Sequence, residues 1–412
     1  MRKYKYQKNT GKITFLDTLE IITLNPTAHL IFGQLNDGLS IELIAQKMTQ
    51  QYQVSYNNSL ADIKNLKNEL IELGINFNQR PNNNSYTPTT AICHIIQNCN
   101  SKCKMCDCWK IKKTNLITRK HLRPFFEKLK LLGCKEIMIS GGEPLLHPEL
   151  KVILNDIKEL GMHQLLNTNA LLLDQQNWIH HVDLDELVVS MDDASPDSYK
   201  QLRGIDAYKK ICMNIKKFKQ NSTNTKIKIR TTINKYNYNK IHKIFDFANQ
   251  NRISGIGFSP ADINSTSFSR HKMDKTRANK LKKQILPSLF ELELFIKEFQ
   301  PSHFQYKLLD QMALLGISQW NGEQYLQCLK YYREVLSDNH LFYENKPCAF
   351  PDIAMVLDYD GCLKNCFYSE SFGNIQNLAN INWNTDAGIK KLISNSTCST
   401  CRGKIFCDME KI

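Results

Sequence analysis

The chain has 412 residues, 42% of them hydrophobic, and a formal charge of +14. That length exceeds one ordinary core and calls for two or three domains. No apolar run approaches the roughly 20 residues a bilayer-spanning helix needs, and the start, Met1-Arg2-Lys3-Tyr4-Lys5-Tyr6, has no apolar signal core. A soluble, cytoplasmic protein is expected, in which 14 cysteines serve as thiols or metal ligands rather than disulfides.

In chain order, Tyr4–Tyr6 and Lys12–Phe15 flank the turn signal Asn9-Thr10-Gly11 and predict a hairpin, with Leu19–Leu24 as a third short strand. Helices follow: Asn25-Pro26 is a cap with proline at the first helical position, Ser40-Ile41-Glu42 opens a second helix, and Ser59–Leu73 places Ile63, Leu66, Leu70 and Leu73 on one face. Residues 1–75 thus predict a winged-helix-like α+β domain. Such a unit grips DNA, adds an extended peptide to its sheet edge, or serves as a purely structural N-terminal cap. Asp62, Glu69 and Glu72 against Lys64 and Lys67 make its last helix a poor phosphate footprint, which favours a peptide and disfavours nucleic acid. Residues 76–88, polar and bounded by prolines, read as a linker. A linker there lets the first domain hold one end of a long substrate and raises the concentration of the rest.

From 89 to 263, short apolar runs (91–96, 136–140, 164–168, 186–191, 226–233, 255–259) alternate with helical stretches (118–132, 148–160, 174–180, 205–220, 238–250). Repeated βα units predict a parallel sheet, closed or partly closed into a barrel, with reactive groups at the carboxyl ends of the strands. Behind the first strand stand Cys99, Cys103 and Cys106, spaced C-x3-C-x2-C. Three thiolates on so short a loop can hold three irons of a [4Fe–4S] cube and leave the fourth open. Zinc is the rival, although its structural sites usually close with a fourth Cys or His. The second strand runs into Ser140-Gly141-Gly142-Glu143-Pro144, where glycines allow close backbone approach and a carboxylate or carbonyl can accept from an ammonium group. Asn167-Thr168-Asn169 and Ser190-Met191-Asp192 end the third and fourth strands; these short polar side chains either meet a ligand or cap the next turn. Lys209–Lys243 holds eleven Lys and Arg without a carboxylate, which suits an anionic partner or simply a solvated surface. Cys93, Cys134 and Cys212 sit in apolar stretches as core residues.

A helical connector, 264–346, leads to residues 347–412 with a second cysteine array: Cys348, Cys362, Cys366, then Cys398, Cys401 and Cys407. A structural zinc site is the alternative there.

The C-x3-C-x2-C triad followed by GGEP after the next strand resembles the radical S-adenosylmethionine (SAM) superfamily. The resemblance implies a partial (β/α)6, TIM-like barrel over 89–263 and a [4Fe–4S] cluster on Cys99, Cys103 and Cys106 whose open iron binds SAM. It further implies SAM contacts from Gly141, Gly142, Glu143, Pro144, Asn167, Asn169, Ser190 and Asp192, with Arg203 near the SAM carboxylate and Met105 and Trp109 against adenine. The order C, G-x4-C, C-x2-C-x5-C is similar to the SPASM and twitch extensions. That implies a small iron–sulfur domain with at least one auxiliary cluster, on Cys348, Cys366, Cys398 and Cys401, with Cys407 and Cys362 in a rearranged or second site; the sequence departs from a full SPASM pattern, which continues with two further cysteines, whereas this chain ends at Ile412. Residues 1–75 resemble the leader-recognition (PqqD-like) domain of ribosomal peptide maturases. Together these imply an oxidoreductase that takes electrons from an external donor and reductively cleaves SAM to a 5′-deoxyadenosyl radical. Its substrate would be a precursor peptide held by residues 1–75, crosslinked through a thioether, C–C or C–O bond. Two other classes stand beside it. One is a radical SAM dehydrogenase or epimerase acting on a peptide or small molecule, with Cys328 as a candidate hydrogen donor. The other is a non-catalytic iron–sulfur regulator that binds nucleic acid.

Overall fold

The computed structural model describes residues 2, 4–7, 11–15, 18, 20–36, 39–75, 88–112, 114–222, 224–263, 268–270, 274–298, 319–320, 322–337 and 354–381. The chain divides into two compact units between Thr89 and Thr90. In the first, β1 (Tyr4–Gln7), β2 (Lys12–Phe15) and β3 (Ile21–Thr23) form an antiparallel meander with β2 central, so β1 and β3 are edges. Three helices follow: α1 (Pro26–Asn36), α2 (Ile41–Tyr52) and α3 (Tyr56–Glu72). Each starts on a side-chain cap, Asn25 accepting from the Ala28 amide at 2.8 Å, Ser40 from Leu43 and Ser55 from Asn58. Tyr4, Tyr6, Ile13 and Phe15 of the sheet pack on Phe32 and Leu70, while Ile31, Leu35, Ile44, Met48 and Ile63 join the helices to one another. Leu73, expected on the buried face of α3, is 38% exposed because the helix has ended and the chain turns away.

The second unit is built on a ten-stranded sheet. Six strands run parallel and side by side in chain order: β4 (Thr90–His94), β5 (Glu136–Ser140), β6 (His163–Thr168), β7 (Glu186–Ser190), β8 (Lys226–Ile233) and β9 (Gly255–Pro260). Helices α4 (Arg119–Leu131), α5 (Leu150–Glu159), α6 (Pro196–Arg203), α7 (Tyr208–Asn221) and α8 (His242–Gln250) connect them. Their apolar faces, such as Leu122, Phe125, Phe126 and Leu129 on α4, are buried, as are Ile137, Ile139, Leu166, Leu187 and Val189 of the strands.

After β9 come α9 (Lys275–Ile285), α10 (Leu289–Glu298), β10 (Gln319–Trp320), which pairs with β9, and α11 (Gly322–Leu336). β11 (Ala354–Leu357) then takes the free side of β4 in parallel, and β12 (Cys362–Lys364) and β13 (Gly373–Asn374) extend it antiparallel. β4 and β9 therefore do not meet, and the six βα strands form an open arc.

Two local expectations change. Residues 174–180 form two 3₁₀ turns, Leu173–Gln175 and Asn177–His181, in place of a helix. A separate helix, α6, precedes α7 because Pro196 starts it and Gly204, at φ +69°, stops it in the left-handed conformation. Among the described residues no helix is long and apolar enough to cross a membrane.

Candidate functional site

β4 ends at His94, and the chain then leaves the sheet as a loop carrying Cys99, Cys103 and Cys106. The loop has almost no regular structure of its own; it borrows backbone partners from neighbouring strand ends. The amides of Gly142 and Glu143 donate to the carbonyls of Ile96 (2.7 Å) and Asn98 (2.9 Å). The amides of Lys102 and Lys104 donate to the carbonyls of Arg203 (2.9 Å) and Leu202 (3.0 Å) at the end of α6, and that of Asp107 to the carbonyl of Phe268 (3.0 Å). Such approaches explain three glycines. A Cβ on Gly141, whose φ is +146°, would overlap the Ile96 carbonyl, one on Gly142 the Asn98 carbonyl, and one on Gly204 the Lys102 carbonyl.

The thiols are met by N–H donors. Cys99 Sγ accepts from the Ser101 amide at 3.4 Å and Asn169 Nδ2 at 3.7 Å, Cys103 Sγ from the Arg203 guanidinium at 3.7 Å, and Cys106 Sγ from the Cys108 amide at 3.4 Å. Burial, and then the Glu143 carboxylate, push Cys99 up to about 12; burial also raises Cys103, with Arg203 opposing. The hydrogen bond between Cys106 and Cys108 raises the former and lowers the latter. Thiols raised in this way hold their protons at neutral pH, so a metal centre binding here displaces protons as it forms.

The strand ends add a polar network. Asn167 Nδ2 donates to Ser140 Oγ at 3.2 Å and Ser190 Oγ to Asn167 Oδ1 at 3.4 Å, a chain across β5, β6 and β7. Glu143 is fully buried, and its carboxylate accepts from Thr168 Oγ1 (2.6 Å), the Asn169 amide (2.8 Å) and the Leu145 amide (3.1 Å). Of the two acceptors expected at that turn for an ammonium, the carboxylate is thus already engaged, and the backbone carbonyls are the other. Pro144 is buried and opens a short 3₁₀ turn. Asn169 also bridges to Asn100 at 2.8 Å. Asp192, with no exposed surface, forms an ion pair at 2.6 Å with Arg203, itself 8% exposed, and accepts from the Thr232 amide at 2.8 Å. Arg203 therefore joins strand end to cysteine loop instead of lying in a surface ion pair. Trp109 Nε1 donates to the Cys103 carbonyl at 3.3 Å, and the Met105 carbonyl accepts from Arg270.

Several of these participants carried no signal as isolated residues: Asn100, Ser101, Asn237, which donates to carbonyls of Asp192 and Thr232, and Arg270, which links Met105 to Asp262. Gly204 had one, since proline at a helix start and glycine past its end mark Ser195–Gly204 as a helix. Of the C-terminal array, Cys362 lies on β12 and Cys366 is buried just after it; Cys348, Cys398, Cys401 and Cys407 lie outside the described residues. Cys328 is fully buried on α11.

Residues 94–248 match the family model described as the radical SAM superfamily. The chain carries a radical SAM domain. A probable GTP 3′,8-cyclase of Sulfurisphaera tokodaii is 23% identical over 182 residues, 43% of this chain and 56% of that protein. A GTP 3′,8-cyclase of Microcystis aeruginosa is 29% identical over 119 residues, 27% of this chain and 36% of that protein. The chain thus spans less than two thirds of the length of these relatives. The crystal structure of Streptococcus suis SuiB bound to precursor peptide SuiA superposes with a TM-score of 0.56 at 16% identity, covering 98% of this chain and 94% of that one, a likeness of fold.

A radical SAM domain implies a [4Fe–4S] cluster and SAM, and the residues present suit both. Each cysteine sulfur has a nitrogen donor, as thiolates of such clusters require. Two buried oxygens at the loop, Asn98 Oδ1 and the Tyr199 hydroxyl, have no hydrogen-bond partner among the described residues. Among those residues no three His, Cys, Asp or Glu side chains close around a single metal ion, whereas a cube takes its thiolates at separate corners.

Proposed function

We propose that this protein is a radical SAM enzyme that modifies a ribosomally made precursor peptide by hydrogen abstraction, forming a thioether, C–C or C–O crosslink. The observation that carries the reading is the loop of Cys99, Cys103 and Cys106, fixed at the carboxyl end of β4 against the strand ends that bear Gly141–Pro144, Asn167–Asn169 and Asp192–Arg203. Cys99, Cys103 and Cys106 would hold the cluster. Gly141, Gly142, Asn167, Asn169, Ser190 and Arg203 would line the SAM site, with Glu143 and Asp192 bracing it from behind. When bound, these groups supply reductive SAM cleavage, which allows hydrogen-atom abstraction from an unactivated carbon. The chain's own residues do the rest: the glycines let the cysteine loop close on the strand ends, the Ser140–Asn167–Ser190 chain holds hydroxyl and amide groups in place, and the buried Arg203–Asp192 pair keeps a cation beside Cys103 without admitting water. An auxiliary cluster using Cys366 with Cys348, Cys398 and Cys401 belongs to the same reading.

The peptide part is supported by the first unit. Among the described residues its three-stranded sheet ends at β1 and β3, and a sheet edge is the geometry that accepts an extended segment as a further strand. The fold likeness to a protein solved with its precursor peptide agrees with that use. A second reading, a small-molecule substrate, draws on the sequence relatives named as GTP 3′,8-cyclases. Anaerobic reconstitution followed by SAM and a strong reductant tests the reading: wild type should bind about four irons per triad and release methionine and 5′-deoxyadenosine, and Cys99→Ala, Cys103→Ala or Cys106→Ala should abolish both. Presenting a precursor peptide encoded nearby, and GTP in parallel, separates the two substrates; turnover with GTP alone would overturn the peptide assignment.

A further inference from the structure

On the face that carries the cysteine loop lies an open cleft of about 370 Å³ lined by Lys104, Lys235, Tyr236, Lys280, Lys283 and Gln284. It gathers four lysines from three places in the chain: the cysteine loop, the turn after β8, and α9. Among the described residues no carboxylate lines it. Glu291, which lies near enough to feel Lys235, is held by the amide and hydroxyl of Ser288. The walls are fixed. Lys104 Nζ donates to the Tyr236 hydroxyl at 2.9 Å, the Lys235 amide to the Ile285 carbonyl at 2.8 Å, and Lys235 Nζ to the Lys283 carbonyl at 3.1 Å. Lys280 and Lys283 are exposed on α9. Lys104 follows Cys103 directly and stands two residues before Cys106, so a partner touching it rests against the loop that would hold the cluster.

We propose that this cleft docks the acidic face of a one-electron carrier protein, an inference that rests on the radical SAM reading above. That chemistry takes one electron from outside the chain: the carrier gives up one electron, the centre on the cysteine loop gains one, and no atom moves. Concentrated positive charge beside the acceptor speeds encounter with an acidic carrier, and redox encounters need only a small, open contact. An acidic peptide segment would meet the same charges; the place of Lys104 between Cys103 and Cys106 favours the carrier, because electron transfer needs the partner against that loop.

The test uses the full chain, wild type and Lys280→Glu/Lys283→Glu, with flavodoxin as the acidic carrier. Binding of oxidised flavodoxin, read by fluorescence anisotropy, should weaken about tenfold or more in the variant and fall with added salt in the wild type. In reconstituted protein, the rate of cluster bleaching by reduced flavodoxin should drop in parallel, while bleaching by dithionite and iron content stay unchanged. Equal flavodoxin affinity, salt dependence and bleaching rate in the two proteins would overturn the proposal. So would loss of precursor-peptide binding alone, which would assign the cleft to the substrate. Anisotropy needs no loaded centre, so failed cluster assembly would sink the proposed function while the docking test still gives its answer.

Discussion

Replacing Glu143 by Gln separates a bracing carboxylate from a ligand-binding one. Glu143 is fully buried and receives three donors, Thr168 Oγ1 at 2.6 Å and the amides of Asn169 and Leu145 at 2.8 and 3.1 Å. A glutamine of the same length offers one oxygen. With that oxygen towards Thr168 and Leu145, its NH2 faces the Asn169 N–H; flipped, it satisfies Asn169 and strands Leu145. In either orientation one backbone N–H is left unpaired at zero exposure, a loss of about 1–3 kcal/mol, and the remaining bonds lose their ionic character. Burial itself works against the charged carboxylate, raising its pKa, which returns part of that loss, so the net destabilisation is about 2 kcal/mol. For a unit of about 300 residues that corresponds to a melting point lower by about 3 °C, measured by anaerobic thermal unfolding of the metal-free chain. If Glu143→Gln melts within about 1 °C of wild type while SAM affinity collapses on reconstituted protein, the carboxylate is a ligand group and the bracing argument is wrong.

Other perturbations have equally definite outcomes. Gly204→Ala places a Cβ against the Lys102 carbonyl at φ +69°; it should cost at least about 1–2 kcal/mol and lower iron loading, read by iron analysis of reconstituted protein. Asn167→Ala removes the middle of the Ser140–Asn167–Ser190 chain at a half-buried position; stability should change by under about 1 kcal/mol, while SAM affinity measured by calorimetry on the loaded protein falls. Burial pushes Asp358 up, but His94 at 3.0 Å and Lys364 outweigh it and hold the group at about 2. A carboxylate depressed from its ordinary 3.8 stabilises the fold by about 2 kcal/mol above pH 4 and loses that contribution as pH falls towards 2; Asp358→Asn should flatten this part of the acid-unfolding profile.

Strands were legible where local punctuation marks their ends. Glu136–Ser140 and Lys226–Ile233 appear with the expected ends because Gly133 and Gly141 punctuate one and polar residues bound the other. The first strand was read two residues too long: Ile95 and Ile96 are buried and apolar, yet Ile96 pairs with Leu116 across a single bridge and its carbonyl is taken by Gly142. Apolar content marked them as buried without revealing that they already belong to the loop. The cysteine triad and the strand-end polar residues could be singled out as candidates because their spacing is local in sequence. The roles of Glu143 and Arg203 could not, since each depends on what lies opposite: Thr168 and Asn169 for one, Asp192 and Cys103 for the other.

The basic run from 209 to 243 shows the same limit for charge. Lys228 pairs with Glu186 at 2.8 Å, Lys210 with Asp174 at 3.3 Å, and Lys219 donates to backbone carbonyls at the end of α8. Much of the apparent patch is thus answered by carboxylates and carbonyls distant in sequence. Lys235 is the member of that run that lines the cleft; Lys104, Lys280 and Lys283 lie outside it. Parallel topology brings the end of β8, the loop after β4 and helix α9 to one face, and a cluster of positive charge with no carboxylate among its described lining residues arises there. A partner selected by that cluster would respond to charge reversal on α9 and remain indifferent to reversal at Lys210 or Lys228, although the latter two belong to the denser run.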